Sequence, residues 1–341
     1  MGASFPLVTV GVVVLNREWV IGKMLDSLLH QTYPHDRIFV VIVDGGSKDR
    51  TVEVARKMLE KSDFMGYDII VKECSIPEGR NICIEKAQGD MLFSWDSDVV
   101  MQPDALQNIV AIMTQKKVDI VNADCIGIFV NSIDEADEKI NEVLKSCTMS
   151  SEDSLVEAPS TGMGHTLISR NVFSNIQFDP DLTTCEDLDF SVRAREKGFK
   201  IVLAKSVMAI DINMRKKGYS DIHIDMPLKR SLRGLRKKAK FSVLAYNSKL
   251  NFRDAVVYFL KYRRYLFYLG YVPALILTIY GLVANNYLFL TLPIYLCFFT
   301  LWQIKRRGLR QGIQAVFRSI VVGVPFSIWL VYYFAKYALK R

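Results

Sequence analysis

The sequence predicts an α/β domain built on a parallel sheet, followed by basic interface helices and then transmembrane helices. Three observations predict it. Short β-branched runs alternate with helical patterns through residue 95, the mark of β-α-β units. Charge is partitioned along the chain, with residues 1–228 at −11, 229–264 at +11 and 265–341 at +8. The last of these parts contains no acid and holds three apolar stretches.

Residues 7–15 form the first strand, and 18–29 carry the first helical pattern. A second buried strand at 38–43 precedes a helix over 49–61. A short strand at 69–71 leads to a helix over 78–87, and residues 91–95 read as a fourth, buried strand. No basic region precedes the first apolar run, so the N-terminus reads as a strand rather than a signal peptide. The six cysteines show no CxxC or framework spacing and read as thiols of a reducing compartment.

Half of the 341 residues are hydrophobic and the mean hydropathy is +0.15, high for a purely soluble protein. Apolar stretches near 266–283, 287–304 and 315–335 approach the ~20 residues that span a bilayer. Asn285-Asn286 forms the turn between the first two, and Arg318 lies near one end of the third, placed to snorkel. Between 228 and 241, apolar residues at spacings of three and four alternate with Lys and Arg. That pattern predicts a basic amphipathic helix on the headgroups.

The domains are therefore expected at 1–227, 228–264 and 265–341. The order argues against nucleic acid and for an anionic membrane surface. Flanking basic residues place the acidic domain in the cytoplasm of a multi-pass protein of the cell or endomembrane. Lys336, Lys340 and Arg341 then fall on the outer side, against the same rule.

Polar chemistry gathers where the strands end, the edge at which open α/β sheets bind ligands. Asp96-Ser97-Asp98 follows the fourth strand. It reads either as a polar turn or as paired carboxylates holding a divalent cation. Asn16-Arg17-Glu18 follows the first strand and Asp44-Gly45-Gly46-Ser47-Lys48-Asp49 the second. Asp44 reads as a loop aspartate or as an acceptor for a base or ribose. Glu186-Asp187 opens a helix, where acids also stabilise the dipole.

Together these residues resemble the family 2 glycosyltransferases of the GT-A fold, over roughly residues 6–212. The likeness lies in Val12-Val13-Val14-Leu15-Asn16-Arg17, Ile42-Val43-Asp44-Gly45-Gly46-Ser47-Lys48-Asp49 and Glu78-Gly79-Arg80-Asn81. It continues in the Asp-x-Asp strand end and in Thr161-Gly162 with Glu186-Asp187. The resemblance implies a metal-dependent, inverting transferase. It would move a sugar from a UDP- or GDP-sugar to a lipid-linked acceptor, either a saccharide hydroxyl or a polyprenyl phosphate.

The resemblance also implies site roles. Leu15, Asn16, Glu18, Asp44, Arg80, Asp96 and Ser97 would face the nucleotide sugar, Arg80 at the phosphates. Asp98 and Asp96 would hold Mg2+ or Mn2+, with Asp211 or His223 as a third ligand. Asp187, beside Glu186, would be the general base, and Thr161, Gly162 and His165 would lie on the acceptor side. Gly45 stands where the family has a second Asp, and no Gln-x-x-Arg-Trp element is present, which argues against a processive polysaccharide synthase. A nucleotide-binding membrane transport or assembly protein without transferase chemistry is the alternative. A sugar-1-phosphate nucleotidyltransferase would need a glycine-rich basic loop, which residues 10–17 lack.

Overall fold

A computed structural model describes residues 5–146, 155–158, 160–180, 182, 186–214, 235–236, 239–240 and 270–338. The chain divides into two units, Met1–Pro180 with Glu186–Lys216, and Asp181–Cys185 with Lys217–Arg341.

The first unit holds a nine-stranded sheet. Its strands are β1 (Val8–Val14), β2 (Ile38–Asp44), β3 (Gly66–Val71), β4 (Met91–Trp95), β5 (Val99–Met101), β6 (Ile120–Val130), β7 (Leu155–Glu157), β8 (His165–Ser169) and β9 (Ile201–Met214). The order is β3-β2-β1-β4-β8-β6-β9-β5, with β7 on β9. Strands β3, β2, β1 and β4 are parallel, and β8 enters antiparallel to both β4 and β6.

Helices cover both faces, which is why β1, β2 and β4 read as continuous apolar runs. Val8, Val10, Val12 and Val14 pack with α1 (Ile21–Leu29), α2 (Thr51–Leu59) and α4 (Ala105–Lys116). Val41 and Val43 pack on the other face with α3 (Ile76–Lys86), α6 (Arg170–Phe173) and α7 (Glu186–Glu196). A further helix, α5 (Ala136–Ser146), contributes Ala136 and Ile140 to a smaller cluster with Ile128 and Ile210.

Element ends differ from the sequence reading for local reasons. Helix α1 starts at Ile21 because the Arg17 carbonyl accepts from the Val20 and Ile21 N–H groups, which holds 16–18 in a turn. Helix α3 starts at Ile76 because Ser75 and Glu78 form a capping box, the Ser75 N–H donating to Glu78 Oε2 at 2.7 Å. Strand β9 runs through Asp211 to Met214, because it pairs with β6 on one side and β5 on the other. Between Ala204 and Met208 its register against β6 shifts, and residues 205–207 have no partner in β6.

In the second unit, α8 (Tyr271–Val283) leads through Asn285, at φ 48°, into α9 (Thr291–Arg307). Asn286 Oδ1 accepts from the Leu288 N–H at 3.0 Å, closing the expected turn. Helix α10 (Leu309–Arg318) continues through a π-helical turn into α11 (Val324–Ala338). Two helical stretches, Tyr287–Lys305 and Leu309–Tyr333, are long and apolar enough to cross a membrane, and Pro273–Val283 is a shorter apolar helix. The later stretch starts well before residue 315, so Arg318 falls inside it rather than near an end. Arg236 donates through Nε to the Tyr333 hydroxyl at 2.8 Å and lies 4.8 Å from the Trp329 ring centroid. Most of the basic stretch, and His223, lie outside the described residues.

Candidate active site

The turns after β1 and β2 brace each other. The Asn16 N–H donates to Ser47 Oγ at 2.8 Å, and Asn16 Oδ1 accepts from the Lys48 N–H at 2.8 Å. Asn16 has φ 51°, a left-handed geometry that Asn tolerates better than most residues. Glu18 accepts from the Arg50 N–H at 3.0 Å and from Arg50 Nε at 2.7 Å. Leu15 stands exposed beside this clasp.

Asp44 is fully buried. Its Oδ2 accepts from the Gly46 and Ser47 N–H groups at 3.1 and 2.9 Å, and its Oδ1 from Ser47 Oγ. The carboxylate therefore builds the turn, and the glycine-bearing backbone is what the turn presents. A Cβ at Gly45 would stand 3.7 Å from the Leu15 Cβ, so the two turns lie side by side.

Strand β4 delivers Asp96 and Asp98 to the same edge. The Asp96 N–H donates to the Gly164 carbonyl at 2.9 Å, which ties the turn to the segment before β8. A Cβ on Gly164 would collide with the Asp96 carboxylate and force it to shift, so glycine permits this close approach. Ser97 is buried. The Asp98 carbonyl accepts from the Ile212 N–H at 2.8 Å, and Asp211 pairs with Val99 across β5 and β9. The sheet thus brings Asp211 beside Asp98.

Asp98 is mostly buried and faces Arg17 Nη2 at 3.6 Å. Burial, then the Asp96 charge, push its carboxyl up to about 6; Arg17 opposes this and Asp211 adds to it. Among the described residues, no three His, Cys, Asp or Glu side chains are grouped so as to hold a metal alone. The donor chemistry still fits a hard divalent cation held by one or two carboxylates, the rest of its shell coming from phosphate and water. Asp98 and Asp96 are the residues that would hold it, with Asp211 adjacent.

Arg80 is buried between two carboxylates. Its Nη1 donates to Glu186 Oε1 at 2.8 Å and its Nη2 to Asp96 Oδ1 at 3.2 Å. Glu186 opens α7, and the next residue, Asp187, is pushed up to about 6, first by burial and then by the Glu186 charge, with Arg80 opposing. The Asp187 carbonyl accepts from Ser191 Oγ at 2.7 Å, and Ser191 Oγ accepts from the Thr161 N–H at 3.1 Å. Thr166 donates to Asn122 Oδ1 at 2.6 Å, bonds Thr161 Oγ1 at 2.8 Å and reaches the Gly162 carbonyl. Thr161 and Gly162 are therefore held against the start of α7.

His165 lies opposite Trp95 across β4 and β8. Burial pushes its ring down, against the pull of Asp96, Asp211 and Asp124, so it is neutral near pH 7. It stands with the Asp-x-Asp carboxylates as well as with Gly162. Sequence reading gave no role to Arg17, Asn122, Asp124 or Ser191. Arg17 could have been found as the single base in the turn after β1. The other three carry no local signal, because their partners lie on distant strands or loops.

Residues 9–165 match the family model described as Glycosyl transferase family 2. The dolichyl N-acetyl-alpha-D-glucosaminyl phosphate 3-beta-D-2,3-diacetamido-2,3-dideoxy-beta-D-glucuronosyltransferase of Methanococcus voltae is 25% identical over 57% of this chain and 63% of that protein. Glycosyltransferase AglE of Haloferax volcanii is 25% identical over 61% and 67%. The chain thus spans about two thirds of the length of these relatives.

Two solved structures share the fold. A mannosyltransferase from Pyrobaculum calidifontis, in complex with GDP-Man and Mn2+, superposes with a TM-score of 0.53 at 18% identity, covering 99% of this chain and 87% of that one. GalNAc-T7 with UDP, GalNAc and Mn2+ gives 0.54 at 16%, covering 71% and 50%.

Proposed function

We propose that residues 9–165, which match the family 2 glycosyltransferase model, form the catalytic domain of a transferase with a GT-A fold, and that the chain transfers a sugar from a UDP- or GDP-sugar to a lipid-linked acceptor at a bilayer surface. The observation that carries the reading is the placement of Asp96 and Asp98 at the carboxyl edge of the sheet, with Asp211 adjacent across β5 and β9, and the bridge from Asp96 through Arg80 to the helix bearing Asp187. The names of the Methanococcus voltae relative and the Mn2+-bound neighbours support the acceptor class and the metal.

The clasped turns at 15–18 and 44–50 form the donor rim, with Leu15 as an apolar wall and the turn backbone beside it. A bound Mg2+ or Mn2+ would neutralise charge developing on the departing nucleoside diphosphate. Asp98 and Asp96 would hold that cation. Asp187 accepts the proton of the attacking hydroxyl at Oδ2, since Oδ1 already accepts the Leu188 N–H at 2.8 Å. With its carboxyl pushed up to about 6, Asp187 remains ionised near pH 7. A single displacement inverts the anomeric carbon. A base favours a saccharide hydroxyl over a polyprenyl phosphate, which is already ionised.

The apolar helices and basic stretch support a multi-pass protein with its catalytic unit in the cytoplasm. The test is transfer of radiolabelled sugar from UDP- and GDP-sugars into the lipid fraction of membranes containing the protein. Incorporation that EDTA abolishes is expected. No incorporation from any donor, or incorporation indifferent to EDTA, overturns the reading.

A further inference from the structure

Arg80 lies where a phosphate ligand was expected, yet its surroundings suit another task. The residue is 8% exposed. Both terminal nitrogens are engaged, with Glu186 at 2.8 Å and Asp96 at 3.2 Å, and the guanidinium carbon lies 5.6 Å from the Phe178 ring centroid. A guanidinium is the side chain suited to such a span, because its fork holds two carboxylates in one plane. Asp96 is held from a second side by the Gly164 main chain. Glu186 is the first residue of α7, directly before Asp187.

We infer that Arg80 is a positioning residue that locks the Asp96 end of the donor site to the start of the helix carrying Asp187, and is not a ligand of the donor's phosphates. The inference rests on the glycosyltransferase reading. One cation holds two carboxylates that belong to two different halves of the site. Loss of the strut displaces Asp187 through Glu186 and changes the charge around it. The charged groups that act on Asp187 are Glu186 and Arg80.

The test uses the full chain in membranes or detergent, with Arg80→Lys, Arg80→Met and Glu186→Gln. Calorimetry measures binding of UDP and of GDP with Mn2+, and transfer is followed against pH. Arg80→Lys and Glu186→Gln are expected to keep nucleoside diphosphate affinity within about threefold. Their turnover at saturating donor falls about 10- to 100-fold, the size of effect that a small misplacement produces. The acid limb moves to lower pH in Glu186→Gln, which removes a negative neighbour of Asp187, and to higher pH in Arg80→Met.

An affinity loss of tenfold or more would make Arg80 a phosphate ligand and overturn the inference. Unchanged turnover and an unmoved acid limb overturn it equally. Where Arg80→Met fails to fold, the other two variants decide. A wild-type protein that binds neither nucleotide removes the glycosyltransferase reading itself, a result distinct from either.

Discussion

Arg17 Nη2 stands 3.6 Å from Asp98 Oδ2, so a protein cation faces the carboxylate expected to face a metal. A partly exposed ion pair contributes about 0.2–1 kcal/mol. Arg17→Met is therefore expected to tighten Mn2+ binding in the absence of nucleotide by up to about fivefold. Isothermal titration measures it. Affinity that does not rise means that Arg17 and the metal do not compete for Asp98.

As the proposed general base, Asp187 sets a pH dependence with a defined sign. Its carboxyl is pushed up to about 6 by burial and by Glu186, against Arg80, and the base must be ionised to act. Turnover is expected to rise with pH through about 6, and Asp187→Asn to lower it by about 10²–10⁴-fold with nucleotide binding intact. A limb near pH 4, or a variant with full turnover, contradicts the assignment.

The same group has an opposite effect on stability. Its native carboxyl holds a proton more tightly than the unfolded one, so its contribution to stability is greatest below pH 4 and is lost as pH rises through about 6. Asp187→Asn is expected to stabilise the protein at pH 7, by on the order of 1–2 kcal/mol. Thermal melts of both proteins at pH 4.5 and pH 7 measure the difference, which should shrink at the lower pH.

Gly164→Ala places a Cβ against the Asp96 carboxylate, closer than two such atoms can stand. Gly164 is not among the positive-φ residues, so the backbone tolerates alanine and the strain falls on Asp96. Turnover is expected to fall about 100-fold with little change in melting temperature. A variant as active as wild type would mean that Asp96 needs no fixed placement.

Thr166→Val removes the hydroxyl that joins Asn122, Thr161 and the Gly162 carbonyl. Thr161 Oγ1 still bonds the Gly162 carbonyl, so the loss falls on Asn122 Oδ1, and a buried acceptor left unpaired costs about 1–3 kcal/mol. Urea denaturation is expected to show a loss of that size, and a loss below about 0.5 kcal/mol shows that the network relaxes.

The parallel half of the sheet was legible because β1, β2 and β4 are apolar on both faces and each ends at a polar turn. The other half was not. Strands β6 and β9 carry Asp124 and Asp211 within their runs, so the apolar signal breaks where the strand does not. At the site, the position of Asp44 could be read from its place after β2. Its inward orientation could not, because that depends on which donors its own turn offers. Arg80 was legible as a motif residue, but its partners are 16 and 106 positions away, beyond any local pattern.

The unpaired residues 205–207 of β9 bear on how this chain tolerates change in length. They fall between Ala204, which is in register with Ala123, and Met208, which is in register with Asp124. Side chains in a strand alternate with a period of two. Deleting one of the three and letting the strand slip would turn Asp211 to the opposite face. Deleting two would restore its face but move it about 7 Å along the strand. Insertions and deletions in this short stretch are thus read out at the carboxylate cluster, although none of the three residues lies within it.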